Sequence, residues 1–176
     1  MKKLFLILVA VIGLTTVASA QENALGVRIG YGAAVSTELS FQSFLSDINR
    51  IELDLGFRLR KVGTEVGQGN NVQVVDFPSG AIFTGIYQWH WYLAGGFGFF
   101  GGPALQLSLP DWANLGLAVG GQVGFDYQFD APFQIGFDFR PLYNVLGRFK
   151  GIKENDKTRI VGGFDPNFAL SLRYAF

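Results

Sequence analysis

The sequence predicts an all-β chain closed into an eight-stranded antiparallel up-and-down barrel that crosses a membrane. Three observations carry this. Large apolar residues alternate with small or polar ones over most of the chain, and a strand sends successive side chains to opposite faces. The 176 residues include 24 Gly and 18 Phe and are 49% hydrophobic but only 16% charged, a balance that favours strands over helices. The polar face is mostly Gly, Ala, Ser and Gln. Small residues suit the crowded inside of a barrel, whereas a solvated face would carry more charge.

The composition also excludes whole classes. A chain this apolar and aromatic is not disordered. With no Cys and one His, it holds neither a disulfide framework, a Cys-rich cluster nor a multi-His metal site. Lys+Arg and Asp+Glu number 14 each, so no net field points to nucleic acid. No cofactor, metal ligand set or catalytic residue is assigned.

Residues 1–20, MKKLFLILVAVIGLTTVASA, read as a cleaved secretory signal. Lys2 and Lys3 form a positive start, Leu4 to Leu14 an apolar stretch, and Ala18 and Ala20 the small residues of a cleavage site. The mature domain would be 21–176. Its loss of Lys2 and Lys3 leaves 12 basic against 14 acidic groups.

Eight strands follow, at about 24–32, 34–45, 50–60, 79–89, 93–109, 114–129, 133–145 and 164–176. The clearest is Leu115–Phe129. Leu115, Leu117, Val119, Val123, Phe125, Tyr127 and Phe129 share one face; Gly116, Ala118, Gly120, Gln122, Gly124, Asp126 and Gln128 share the other. Fifteen residues exceed the ~9–11 tilted residues that cross a bilayer. Two strands are less regular: Ile86 breaks one alternation, and Phe100 interrupts a run of inward glycines. The stretch Trp91–Pro110 carries no charge over 20 residues, but its glycines, Pro103 and alternation oppose a helix.

Pattern alone does not say which face is outside. In a membrane barrel the apolar face meets lipid and the polar face lines the lumen. The charges on the polar face balance: Arg28, Arg58, Arg60, Arg140 and Arg173 against Glu38, Glu52, Asp54, Asp126 and Asp138. All five cations are Arg, whose planar fork suits carboxylates away from water. Aromatics gather near strand ends on one side, with Phe41 and Phe44 beside a girdle of Tyr87, Trp89, Trp91, Tyr92, Tyr127, Phe129 and Tyr174, as at a lipid–water boundary. Tight turns are expected at 46–49, near His90–Tyr92 and at 130–132. Longer loops are expected at 61–78, with a polar tip at Gly67–Asn71, and at 146–163. The second carries Arg148, Lys150, Lys153, Lys157 and Arg159 against Glu154 and Asp156, a surface for lipopolysaccharide phosphates or simply a solvated loop.

The chain ends FALSLRYAF, with Leu170, Leu172, Tyr174 and a terminal Phe176. Together with GVRIGYG and Ser43–Phe57, this resembles small eight-stranded outer-membrane barrels of the OmpA/OmpX type. The resemblance covers 21–176. It implies an outer-membrane location and a C-terminal signal read by the barrel-assembly machinery. It also implies contact with outer-membrane lipid and lipopolysaccharide and, through the loops, an extracellular partner. No peptidoglycan-binding domain follows the barrel.

Other motifs point less far. Gly96–Gly101 matches G-x-G-x-x-G, but a strand rather than a helix follows, so no pyrophosphate site forms. His90 with Ser171 or Ser108 would be the candidates for a lipid-modifying enzyme, yet no nucleophile motif surrounds either serine; His90 is expected at the rim between Trp89 and Trp91. The favoured reading is a structural or surface-interaction protein whose lumen is plugged by the ten charged residues. The alternatives are a narrow pore for ions or small solutes, the lipid-modifying enzyme, and a secreted soluble barrel for an apolar ligand. The signal reading predicts that the exported protein begins at Gln21, which intact-mass measurement checks; retention of residues 1–20 would refute it.

Overall fold

A computed structural model describes residues 23–32, 34–59, 61–66, 73–77, 79–111, 114–146, 153–154, 157–161 and 163–176. The expected signal segment, with Ala18 and Ala20, lies outside them. The barrel strands are β1 (Asn23–Tyr31), β2 (Val35–Phe44), β3 (Asn49–Leu59), β6 (Gly80–Ala94), β7 (Phe97–Asp111), β8 (Asn114–Gln128), β9 (Phe133–Leu146) and β12 (Phe164–Ala175). Each pairs antiparallel with its neighbours, and β1 meets both β2 and β12, closing the barrel. The seam runs to the last residue: Asn23 and Phe176 exchange backbone hydrogen bonds of 3.1 and 2.8 Å. A closed barrel leaves no unpaired edge, which hydrocarbon would not tolerate.

The alternation explains the two faces. Val27, Ile29, Leu55, Phe57, Phe125, Phe137 and Leu172 point outward and are exposed, while the alternate polar positions of the same strands are buried. Ile86 and Phe100, which looked irregular in sequence, keep the parity of their strands and lie inside. Ile86 joins Ala104, Ala118 and Leu142 in a small apolar cluster on β6–β9. The barrel core is therefore mixed: polar side chains fill most of it, and this patch lines one wall.

Close packing inside depends on glycine. A Cβ on Gly98 would fall 2.4 Å from both Asp126 Oδ1 and His90 Nε2, and one on Gly124 would fall 2.5 Å from the Phe100 ring. These positions let large neighbours occupy the lumen.

Three connections differ from the sequence reading. β6 continues through His90 and Tyr92 to Ala94, and the turn lies at Gly95–Gly96. Both glycines have positive φ (56° and 88°), as a two-residue hairpin turn requires; His90–Tyr92 lacks such residues. The long connections are not plain loops either. They contain β4 (Lys61–Val66), β5 (Gln73–Phe77), β10 (Lys153–Glu154) and β11 (Lys157–Val161). These form a second sheet in which β5 and β11 run parallel, so the two connections pair with each other. Such pairing between segments some 80 positions apart leaves no trace in local periodicity. The tip at 67–71 lies outside the described residues, as do Arg148, Lys150 and Asp156.

The packing predicts opposite outcomes at two glycines. Gly98→Ala should destabilise by about 1–3 kcal/mol, because the lumen there is full. Gly85→Ala, whose Cβ would meet only Leu53 at 3.8 Å on the outer face, should change stability by no more than ~0.5 kcal/mol. Urea unfolding of the refolded barrel measures both.

Candidate functional site: the lumen

Among the described residues, the lumen is where the strands bring charged groups together out of water. Of the ten charged residues expected there, nine are described, and all nine are buried and point inward. Arg60 lies outside the described residues. Two further charges join them. Arg50, at 0% exposure, shares the parity of Glu52 and Asp54 on β3, and Asp165, at 2%, shares that of Asn167 and Ala169 on β12. Both lie inside the strands expected at 50–60 and 164–176, and carrying the alternation to the first residues of each would have found them.

Most of the groups are joined through shared contacts. Arg28 bonds Asp138 through two nitrogens (3.0 and 2.7 Å) and reaches Glu38 (2.8 Å) and Asn167 (2.8 Å). Arg140 contacts Glu38 (3.2 Å), Glu52 (3.0 Å) and Asp54 (2.6 Å). Glu52 is the junction. It also takes Arg173 (3.2 Å) and accepts from the side-chain amides of Gln42, Gln88 and Gln122. Arg58 pairs with Asp165 at 3.0 Å and donates to Gln106 at 2.7 Å.

A second layer lies nearer the chain ends. Arg50 donates to Asp126 (2.9 Å) and Gln88 (2.6 Å). Its guanidinium lies over Phe100 and Phe44, 4.9 and 5.4 Å from their ring centres. His90 lies here, buried on the inner face of β6 toward the end that holds the termini. Its Nε2 sits 3.0 Å from Asp126 Oδ1, while Trp89 and Trp91 project from the opposite, outer face. Ser171 donates to Gly136 O and accepts from Arg173. Among the described residues, no hydrogen bond joins His90 to Ser171 or Ser108. Nor do three His, Asp or Glu groups converge as a metal ion would need.

The network spans the barrel. In the strand order, β9 and β3 stand four strands apart either way round. Arg140 on β9 therefore reaches the full width of the lumen to Glu52 and Asp54 on β3. The cavity toward the far end, lined by Arg28, Arg58 and Arg140 among others, measures about 10 Å³, the least that admits one water. At the end with the termini, a larger cavity of about 170 Å³ remains.

Outside, aromatic rings pack against one another around the termini end: Tyr87–Trp89, Trp91–Phe99, Phe97–Tyr127, Tyr127–Phe129 and Phe133–Tyr174, at centroid distances of 4.6 to 5.8 Å. Tyr92, expected in this belt, belongs to the other face. It shares His90's parity, and its ring packs on His90 (4.6 Å) and stacks on Phe44 (6.4 Å) at the mouth of the lumen. Phe44 has the same parity as Gln42 and also lines the mouth. Leu170, Leu172 and Tyr174 are exposed on the outer face, with Phe176 closing the seam.

A barrel with an apolar outside and a buried, ion-paired inside is a transmembrane β-barrel: soluble barrels place these faces the other way round. No family model matches the chain, and no curated protein matches it. Among solved structures, it resembles the solution structure of outer membrane protein H (OprH) from P. aeruginosa in DHPC micelles. The TM-score is 0.59 at 14% identity, over 88% of this chain and 99% of that one. It also aligns with the N-terminal β-barrel domain of Pseudomonas aeruginosa OprF, at TM-score 0.46 and 14% identity, over 89% of this chain and all of that one. The first likeness shows the fold: that of a small eight-stranded outer-membrane barrel.

Removing one charge from the junction should be costly. Glu52→Gln leaves Arg140 and Arg173 short of a carboxylate in a buried site, and should lower the unfolding free energy by about 3–5 kcal/mol. Denaturant unfolding of the refolded variant checks this; an unchanged midpoint would exclude the network as a source of stability.

Proposed function

We propose that this protein is an integral outer-membrane barrel whose lumen is a structural plug and whose far-end connections do its surface work. One observation carries the plug: Arg140 crosses the lumen and closes on three carboxylates at 2.6 to 3.2 Å. Moving an ion past it means parting buried pairs with no water to replace them. Supporting the location are the inside-out faces, the aromatic belt and the barrel fold shared with OprH. The signal-like residues 1–20 and the alternating C-terminus ending in Phe176 fit the same route, with the barrel-assembly machinery as transient partner. The termini then lie on the periplasmic side. The paired strands β4, β5, β10 and β11 of the two long connections reach the outside, where the basic residues of these connections meet lipopolysaccharide or another anionic partner.

Planar-bilayer recording tests the plug. The inserted, heat-modifiable protein should pass no unitary current, whereas Arg140→Ala should open measurable steps. Reproducible, ion-selective steps from the unaltered protein would overturn the plug in favour of a narrow pore.

A further inference from the structure

The two long connections rise from opposite walls of the barrel and meet over its far mouth. β5 ends at Phe77 and β6 begins at Gly80; β11 ends at Val161 and β12 begins at Phe164. In the closed order β1-β12-β9-β8-β7-β6-β3-β2, β6 and β12 stand four strands apart either way round, so they face each other across the lumen. Yet β5 and β11 pair directly, from Thr158 beside Gln73 to Val161 beside Asp76. We propose that the two connections act as one bridge across the mouth, so that a partner on that side meets a single surface built from both. This rests on the reading that these connections do the surface work, and gives that surface its form: one unit rather than two separate loops.

Reach and direction both carry it. Strands about 4.8 Å apart and tilted by roughly 40° close, when there are eight, into a ring about 16 Å across. Asp76 stands four residues before Gly80, and Val161 three before Phe164. At ~3.3 Å per residue these arms extend to about 13 and 10 Å, enough with one strand spacing to span the ring. β6 and β12 both run from the far end toward the termini end. The strands that feed them therefore run the same way, and a pair formed between them has to be parallel, as it is. A fold-back within one connection is antiparallel, as β4–β5 and β10–β11 are. The parallel pair marks the join between two walls.

The order of the sheet agrees. It runs β10-β11-β5-β4. β4 begins at Lys61, just after β3 ends at Leu59, and β3 is the barrel neighbour of β6. β10 and β11 lie between β9 and β12, which are neighbours too. Each half of the sheet thus belongs to its own wall. The other two far-end connections are short: Gly32 N donates to Ala34 O at 3.1 Å between β1 and β2, and Asp111 pairs with Asn114 between β7 and β8. β5 is a central strand, paired with β4 on one side and β11 on the other. Without it, β11 keeps, among the described residues, only Thr158 and Lys157 beside Lys153 and Glu154. Opening one connection should therefore loosen the other.

Limited trypsin digestion of the full protein refolded in micelles tests the coupling. Val75→Pro removes a ladder donor from the central strand β5. It should speed cleavage after Lys157 and Arg159, in the other connection, about tenfold or more, because cleavage follows the population of the opened form. Unchanged cleavage there would mean that the connections move independently and would overturn the bridge. Cross-linking decides alone should Val75→Pro fail to refold. The chain has no cysteine, so Val75→Cys/Ile160→Cys, a pair in register, introduces two thiols only. Paired strands hold them within disulfide reach, and oxidation should close the bond about tenfold or more faster than in the offset pair Val74→Cys/Val161→Cys. Equal rates, or no bond in either, would overturn the bridge. Neither measurement involves ion flow or a bound partner, so a failed bridge and a failed plug give different results.

Discussion

Arg140 and Glu52 face each other across a lumen only eight strands wide, and the rest of the structure depends on that encounter. A charge held out of water is tolerable only when its partners supply what water did. Glu52 meets two guanidiniums and three side-chain amides, and Arg140 meets three carboxylates. These contacts come from six barrel strands, so they hold opposite walls of the barrel together as well as fill it. The interior of a water-soluble protein gets its cohesion from apolar burial. Here the apolar residues face outward, and cohesion inside comes from paired charge.

The outward face follows from the same inversion. Large aliphatic side chains spread along the strands, while aromatics concentrate at the termini end, where rings with polar edges suit the boundary of a bilayer. Glycine reconciles the two demands. At Gly98 the missing side chain is the space in which His90 and Asp126 meet. The plug thus rests on absent side chains as much as on present ones. The apolar cluster around Ile86 marks the wall where the network does not reach.

At the termini end the described residues leave a cavity of about 170 Å³, against about 10 Å³ around Arg28, Arg58 and Arg140. There the network gives way to amides, imidazole and two stacked rings around a cavity. Arg50 links the two regions, bonded to Asp126 and Gln88 and covered by Phe44 and Phe100. A plug and a small vestibule are compatible in one barrel because the ion pairs that close the lumen sit on the other side of this residue.

Much of this was legible in the chain. Period-two alternation determined the strands, their inner and outer faces, and the placement of the charged residues, because strand geometry makes parity a local property. Even Arg50 and Asp165 were available to that rule, since both lie within the expected strands and share the inward parity. The Gly95–Gly96 turn was harder to read, since a run of uncharged aromatics obscured where one strand ends. Tertiary structure alone decided three things: which inward charges meet, the pairing of β5 with β11, and the turning of Phe44, His90 and Tyr92 into one vestibule. Parity tells a side chain which face it occupies. Its partner across the lumen depends on the stagger and closure of all eight strands, and no local stretch of sequence contains that.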